Sequence, residues 1–325
     1  AKAMAHAMGA DYLEQDVVLT ADGVPIVLHD IYLDSTTDVA RRFPDRFRDD
    51  DRFYAIDFTL EEIRQLRVRE RSQSDEEGRE SAVYPERFPL GEGLFTLPTL
   101  AEEIALVSGL NHSSGRRAGL YVELKAPNWH LAEGQDIAAR VMQVLQQTGW
   151  SGRRQDIYLQ CFDPSTLQRL RGELRTTLPL IQLIGENAWG EDTAADYEYM
   201  RTPAGLREVA RYADGIGPWL SHVIDGDAAT AEPGINDLVR RAHALGLLVH
   251  PYTVRRDDLP RGVTGWQQLL ALFIETAQVD GLFTDFPDEV RRYLEFIRRA
   301  APALAGTSAD GLYAEVARVE ELLAG

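Results

Sequence analysis

Short apolar or alternating runs alternate along the chain with segments of helical spacing. This rhythm predicts a parallel sheet covered by helices, built from repeated strand–helix units. Strands are expected at residues 12–19, 24–28, 120–124, 157–160, 180–184, 215–217, 247–250 and 281–284. Helices are expected at 136–147, 164–174, 203–213, 235–245, 265–277 and 288–300. The Asp22-Gly23 turn places 24–28 directly behind the first strand, as its continuation. Each other strand is followed by a helix or a long excursion, which predicts an α/β fold of the TIM (β/α)8 barrel type.

Counted this way the chain supplies one strand fewer than the eight such a barrel takes. The absent strand is expected before Ala1, ahead of an uncapped Ala-rich half-helix over 1–8 that Gly9 ends. The barrel is expected to occupy residues 1–300. A polar excursion over about 30–118 reads as a small insertion subdomain on the rim, with a capped helix starting at Thr99 and Glu102 at the capping-box position. Its stretch 72–81 reads as a solvated charged loop. Residues 301–325 are expected to form a C-terminal helical extension in which Leu312, Val316, Val319 and Leu323 share one face, suited to packing outside the barrel or to binding a partner.

The 325 residues carry a net charge of -18, and no apolar run reaches the ~18 residues of a membrane span. Such a charge favours solubility, and it repels nucleic acid and anionic lipid, which makes both poor partners; a homodimer is left open. Cys161 is the single cysteine, which excludes an internal disulfide framework and a thiolate-rich metal site.

Glu14 and Asp16 are two apart on one strand and therefore share a face. Adjacent buried carboxylates repel unless a cation or a shared proton relieves them, so the pair reads either as metal ligands or as a salt-bridged or exposed pair. Glu123 and Lys125 repeat the spacing on the next strand, where Pro127 stops it. They read as a third ligand beside a phosphate-binding ammonium, or as a buried ion pair. His29 ends the run Val24-Pro25-Ile26-Val27-Leu28-His29, where a general acid or base sits in a barrel, although a structural role is also open to a lone histidine. Asp30 can orient its ring only if the chain bends there. Gln160, Phe162, Gln182, Trp219, His250 and Tyr252 fall at or just past strand ends and are expected to line a substrate pocket.

Gly9-Ala10-Asp11-Tyr12-Leu13-Glu14-Gln15-Asp16-Val17, then Asp22 to Asp30 and Leu33-Asp34, resembles the signature block of glycerophosphodiester phosphodiesterases. Val122-Glu123-Leu124-Lys125, Leu159-Gln160-Cys161-Phe162, His250-Pro251-Tyr252 and Thr284-Asp285-Phe286-Pro287 agree, so the likeness runs to about residue 296. Tyr54 to Leu60 and an Asn111-His112-Ser113 loop resemble the bacterial periplasmic branch. The resemblance implies a barrel with an insertion after its second strand. It implies a divalent cation, Ca2+ first and Mg2+ second, on Glu14, Asp16 and Glu123. It also implies acid–base catalysis by His29 with Lys125 near the phosphate. The reaction implied is hydrolysis of glycerophosphocholine, glycerophosphoethanolamine and similar diesters to glycerol 3-phosphate and an alcohol, in the periplasm or a secreted setting. The family also opens with a His-Arg-Gly strand and a Pro-Glu loop, expected before Ala1, and commonly has arginine where Ser35 stands. Two other readings remain: a related barrel lipase acting on intact lipids, and an inactive barrel that binds metal and phosphate without turnover.

Overall fold

The structure is a computed structural model describing residues 1–75, 77, 79–91, 93–225 and 233–300; the predicted extension over 301–325 lies outside the described residues. In chain order the barrel elements are α1 (Lys2–Ala7), β1 (Tyr12–Leu19), β2 (Pro25–Val27), α2 (Leu100–Ser114), β3 (Gly119–Leu124), α3 (Pro127–Ala132), α4 (Ile137–Gln147) and β4 (Ile157–Cys161). They continue with α5 (Pro164–Gly172), β5 (Leu180–Ile184), α6 (Pro203–Val209), β6 (Gly215–Pro218), α7 (Leu238–His243), β7 (Leu248–Val249), α8 (Trp266–Ala271) and α9 (Pro287–Ala300). The strands form one sheet in the order β7-β6-β5-β4-β3-β1-β2. Every neighbouring pair is parallel except β1 and β2. This is the strand–helix alternation of an α/β barrel.

Local chemistry places the helix starts. Asp136, Asp163 and Thr202 accept hydrogen bonds from the backbone N–H groups of Ala139, Thr166 and Gly205, and Pro164 and Pro203 stand in the first turn. In α4 the residues Ile137, Val141 and Leu145 recur every fourth position and are buried against the sheet. Strand β3 is buried along its whole length, as expected of a strand covered on both faces. Gly215 and Gly217 leave the barrel interior room for neighbouring strands. A Cβ on Gly215 would sit 2.7 Å from Ile181 Cδ1, and one on Gly217 would sit 2.7 Å from Leu183 Cδ2.

Several expectations change. Residues 24–28 do not continue the first strand; β2 folds back antiparallel on β1, pairing Val17 with Val27 and Leu19 with Pro25. Residues 281–284 run beside the sheet through a single bridge from Thr284 to Val254 and uneven hydrogen bonds, Asp280 N to Val249 O and Phe283 N to Pro251 O. Ile235 is not helical; Gly234–Ile235 pairs antiparallel with Ile224–Asp225. Residues 72–81 hold an exposed ribbon in which Ser72–Ser74 pairs with Glu80–Ala82. Asn111, His112 and Ser113 are the last turn of α2 rather than a loop. Leu100, Ile104 and Val107 of α2 join the barrel core, so this helix belongs to the outer layer. The insertion's own core runs from Leu33 to Leu97 and includes Phe53, Phe58, Ile63 and Leu66, closing on Val18 and Ile26 beneath it.

Candidate active site

Register assembles the site. Asp16 pairs with Glu123, Glu123 with Gln160, Glu14 with Tyr121, and Tyr121 with Tyr158. Side chains on one face of a strand recur every second residue, so two interior layers form. The lower layer is aromatic. Tyr121 stacks on Tyr158 with centroids 4.9 Å apart and meets Phe283 edge-on at 4.7 Å. The upper layer is acidic, joined by the Glu14 carboxylate from the level of Tyr121, and opens at the C-terminal ends of the strands, where barrel active sites lie.

In that upper layer the carboxylate oxygens of Glu14, Asp16 and Glu123 lie within 4.8 Å of one another. Lys125 Nζ is 2.8 Å from Glu123 Oε1 and 3.9 Å from Asp16 Oδ1. Gln160 Nε2 donates to Glu14 Oε1 at 2.7 Å and reaches Glu123 Oε2 at 3.5 Å. One ammonium faces three carboxylates, and the charge imbalance shows in their proton affinities. Burial, then repulsion from Asp16 and Glu123, holds Glu14 well above the usual carboxylate range. Burial pushes Glu123 up to about 7 against the pull of Lys125. Burial acts in the same direction on Asp16, but Lys125 and His29 outweigh it and hold that carboxyl below its ordinary value.

This donor set fits a hard divalent cation. Ligand oxygens about 2.3–2.6 Å from a Ca2+ ion stand at most about 5 Å apart, and carboxylates are its preferred donors. Glu14, Asp16 and Glu123 would hold the ion, and Gln160 orients two of them.

Lys125 is placed by the turn that follows it. Ala126 takes a left-handed conformation at φ 40°, and Pro127 then starts α3. A non-glycine residue held there stores strain that the surrounding structure must offset. The first turn of α3 is secured from outside: Asp192 Oδ2 accepts from the Trp129 backbone N–H at 2.5 Å, and the Asp192 carbonyl accepts from Asn128 Nδ2 at 2.8 Å.

His29 follows β2. Leu28 N donates to Asp16 O at 2.9 Å, which brings the histidine down beside the acidic layer instead of to the far end of a parallel strand. The chain bends at His29 and Asp30, so neighbours that would diverge in a strand meet: His29 Nδ1 and Asp30 Oδ1 are 2.5 Å apart. Arg71 of the insertion anchors Asp30 at 2.9 Å, and burial notwithstanding, His29 and Arg71 keep that carboxyl far below its ordinary value. The imidazole is 61% exposed, with Nε2 left for substrate.

Phe162, Tyr252 and Trp219 form a half-buried wall: Phe162 and Tyr252 meet edge-on at 5.9 Å, Trp219 bridges Tyr252 through the backbone, and Lys125 Nζ lies 5.9 Å from the Phe162 ring. Two expected pocket residues are corrected. Gln182 faces the helix layer, where Tyr212 Oη donates to its Oε1 at 2.8 Å and its Nε2 donates to the Phe162 carbonyl at 2.8 Å. In β5 the inner face belongs to Ile181, level with Gln160, and to Leu183. His250 does point inward, but into the aromatic floor: its Nδ1 is hydrogen-bonded to the Tyr121 hydroxyl at 2.9 Å, and it is 7% exposed. Burial lowers its pKa to about 4, so it is a neutral packing group. Gln160 is present as an orienting amide of the acidic layer. Sequence reading missed the floor tyrosines, although Tyr121 and Tyr158 stand two positions before Glu123 and Gln160. Arg71 gave no signal, because its distance from Asp30 in sequence hides the contact.

Comparison with known proteins agrees with this geometry. The profile of the glycerophosphoryl diester phosphodiesterase family matches residues 1–289. A glycerophosphodiester phosphodiesterase of Haemophilus influenzae is 39% identical over 311 residues, covering 91% of this chain and 85% of that protein. A solved structure from Silicibacter pomeroyi, assigned to the same family, is similar with a TM-score of 0.63 at 26% identity, covering 90% of this chain and 86% of that one. An Oleispira antarctica phosphodiesterase, solved with the product sn-glycerol-3-phosphate, shares the fold at TM-score 0.56 and 20% identity, with 90% and 88% covered. With its strand–helix wall and acidic mouth, and with a profile match over nearly all of its described length, this chain belongs to the glycerophosphoryl diester phosphodiesterase family.

Proposed function

We propose that this phosphodiesterase hydrolyses deacylated phospholipids such as glycerophosphocholine and glycerophosphoethanolamine to glycerol 3-phosphate and the free alcohol, with a divalent cation, Ca2+ or Mg2+, held by Glu14, Asp16 and Glu123. The observation that carries the reading is the convergence of these three carboxylates with Lys125 at the mouth of the barrel. A bound ion supplies Lewis-acid polarisation of a phosphoryl oxygen. Lys125 offers its ammonium to negative charge growing on the phosphoryl oxygens. His29, oriented through Nδ1 by Asp30, delivers a proton from Nε2 to the departing alkoxide, a role typically worth ~10²–10⁴ in rate. The bond from phosphorus to the alcohol oxygen breaks, water supplies the new P–OH, the alcohol leaves carrying the proton from His29, and the water's other proton restores the imidazolium. Phe162, Trp219 and Tyr252 shape the wall against which the organic part of the substrate rests.

Phosphorus NMR on glycerophosphocholine tests this reading. The diester signal is expected to give way to that of glycerol 3-phosphate in millimolar Ca2+ or Mg2+ and to persist in EDTA. Persistence of the diester with every ion tried would refute the substrate assignment, and cleavage in EDTA would refute the ion requirement.

A further inference from the structure

The loop after β5 does work that the hydrolytic machinery leaves unexplained. Its Asn187–Trp189 turn carries the Trp189 ring over Gly185, where a Cβ would stand 2.8 Å from the indole and 3.2 Å from Phe162. Trp189 also meets Trp219 edge-on at 5.2 Å. The aromatic wall that begins beside Lys125 at Phe162 therefore continues outward to Trp189, which is 43% exposed. The loop is held on two sides, by Asp192 at the first turn of α3 and by Thr193 Oγ1 donating to Asp163 Oδ1 at 2.8 Å.

Charge on this loop is negative: Glu186, Glu191, Asp192 and Asp196 fall within residues 185–196, which hold no lysine or arginine. Glu191, two residues after Trp189, is exposed and makes no side-chain hydrogen bond or ion pair among the described residues. Glu186 is partly exposed and pairs with His222 Nε2 at 2.8 Å. An exposed indole face with an unpaired carboxylate two residues along the same loop is the chemistry that recognises a quaternary ammonium.

We propose that Trp189 and Glu191 form a head-group subsite that selects diesters whose alcohol carries an ammonium group, choline above all. The inference rests on the phosphodiesterase reading above and deepens it. With the phosphate at Lys125, the alcohol half lies along Phe162 toward Trp189. A choline head group gains the indole face and the Glu191 charge, whereas an uncharged glycerol head group gains neither.

The test compares kcat/KM for glycerophosphocholine and for the uncharged glycerophosphoglycerol in the full chain with its divalent ion. In Trp189→Ala the ratio of the two is expected to fall about three- to tenfold, the size of a partly exposed cation–π contact. Trp189→Phe is expected to restore part of it. Glu191→Gln is expected to lower the same ratio two- to threefold at low salt, an effect that added NaCl erases. An unchanged ratio in both variants overturns the subsite. A second readout needs no turnover, so failure of the subsite and failure of the hydrolase reading stay distinguishable. The Trp189 indole N–H signal, assigned by its absence in Trp189→Phe, is expected to shift on titration with choline and not with its uncharged isostere 3,3-dimethylbutan-1-ol. Equal shifts with both, or none with either, overturn the subsite whatever the enzyme hydrolyses.

Discussion

Three carboxylates gathered around one ammonium make the protein's stability depend on pH and on divalent cation together, and the size of the effect can be worked out. Glu123 ordinarily titrates near 4.5 and is displaced to about 7 in the fold. The folded state therefore binds this proton more tightly than the unfolded chain does between those values. Stability of the ion-free protein is expected to fall as pH rises from about 4.5 through about 7. The displacement corresponds to on the order of 3 kcal/mol at full ionisation. Glu14, raised in the same direction, adds to the loss. A divalent cation at 100 times its dissociation constant returns about 2.7 kcal/mol. For a chain of 325 residues, larger than those in which 1 kcal/mol moves Tm by about 2–4 °C, this is at most about 5 °C. Thermal melting in EDTA and in millimolar Ca2+, at pH 5.5 and pH 8.0, reads both effects. The ion-dependent rise is expected to be several degrees at pH 8.0 and much smaller at pH 5.5, where protons occupy the cluster. Glu14→Gln, which removes one repelling charge but keeps an acceptor for Gln160, is expected to raise the ion-free Tm and shrink the Ca2+ response. An equal Ca2+ response at both pH values, or an ion-free Tm lowered by Glu14→Gln, would refute this reasoning.

Two further outcomes follow from the same geometry. His29→Gln is expected to lower kcat about 10²–10⁴-fold while leaving Tm in place, because its imidazole is largely exposed and carries little packing; steady-state kinetics beside a melting curve check it. Lys125→Met is expected to lower kcat at least ~10²-fold and, in EDTA, to cost about 3–5 kcal/mol of stability, because it leaves Glu123 and Asp16 without their counter-ion; denaturant titration with and without Ca2+ checks it, and a variant as stable as the parent in EDTA would show that the ammonium is not their compensating charge.

Much of this site was legible in the sequence because strand geometry makes local spacing informative. Glu14 with Asp16 and Glu123 with Lys125 each repeat every second residue, and that period alone aims each pair at one face. The parallel register then aligns Asp16 with Glu123. Position near a strand end misled at Gln182, because it does not fix which face a residue takes, and a shift of one turns every side chain to the other face. Residues 24–28 were misplaced as well, since a tight turn and a short apolar run are compatible with either continuing a strand or returning along it. His250 was read as a pocket residue because strand ends lie at the barrel mouth; the depth of its side chain depends on Tyr121, Tyr158 and Gly281 from three other segments. The anchoring of Asp30 by Arg71, and of α3 by Asp192, joins parts of the chain far apart in sequence, and no local pattern announces such contacts.

The account stands on the ability of two adjacent strands to offer one ion a shared set of oxygens. Crystals soaked in MnCl2 and measured at the manganese absorption edge test that directly. The expected result is one strong anomalous peak within about 2.0–2.4 Å of carboxylate oxygens from Glu14, Asp16 and Glu123 together, with Lys125 moved off Glu123 Oε1. An anomalous map that is blank at the barrel mouth under saturating Mn2+, or a peak held by residues elsewhere, would contradict it.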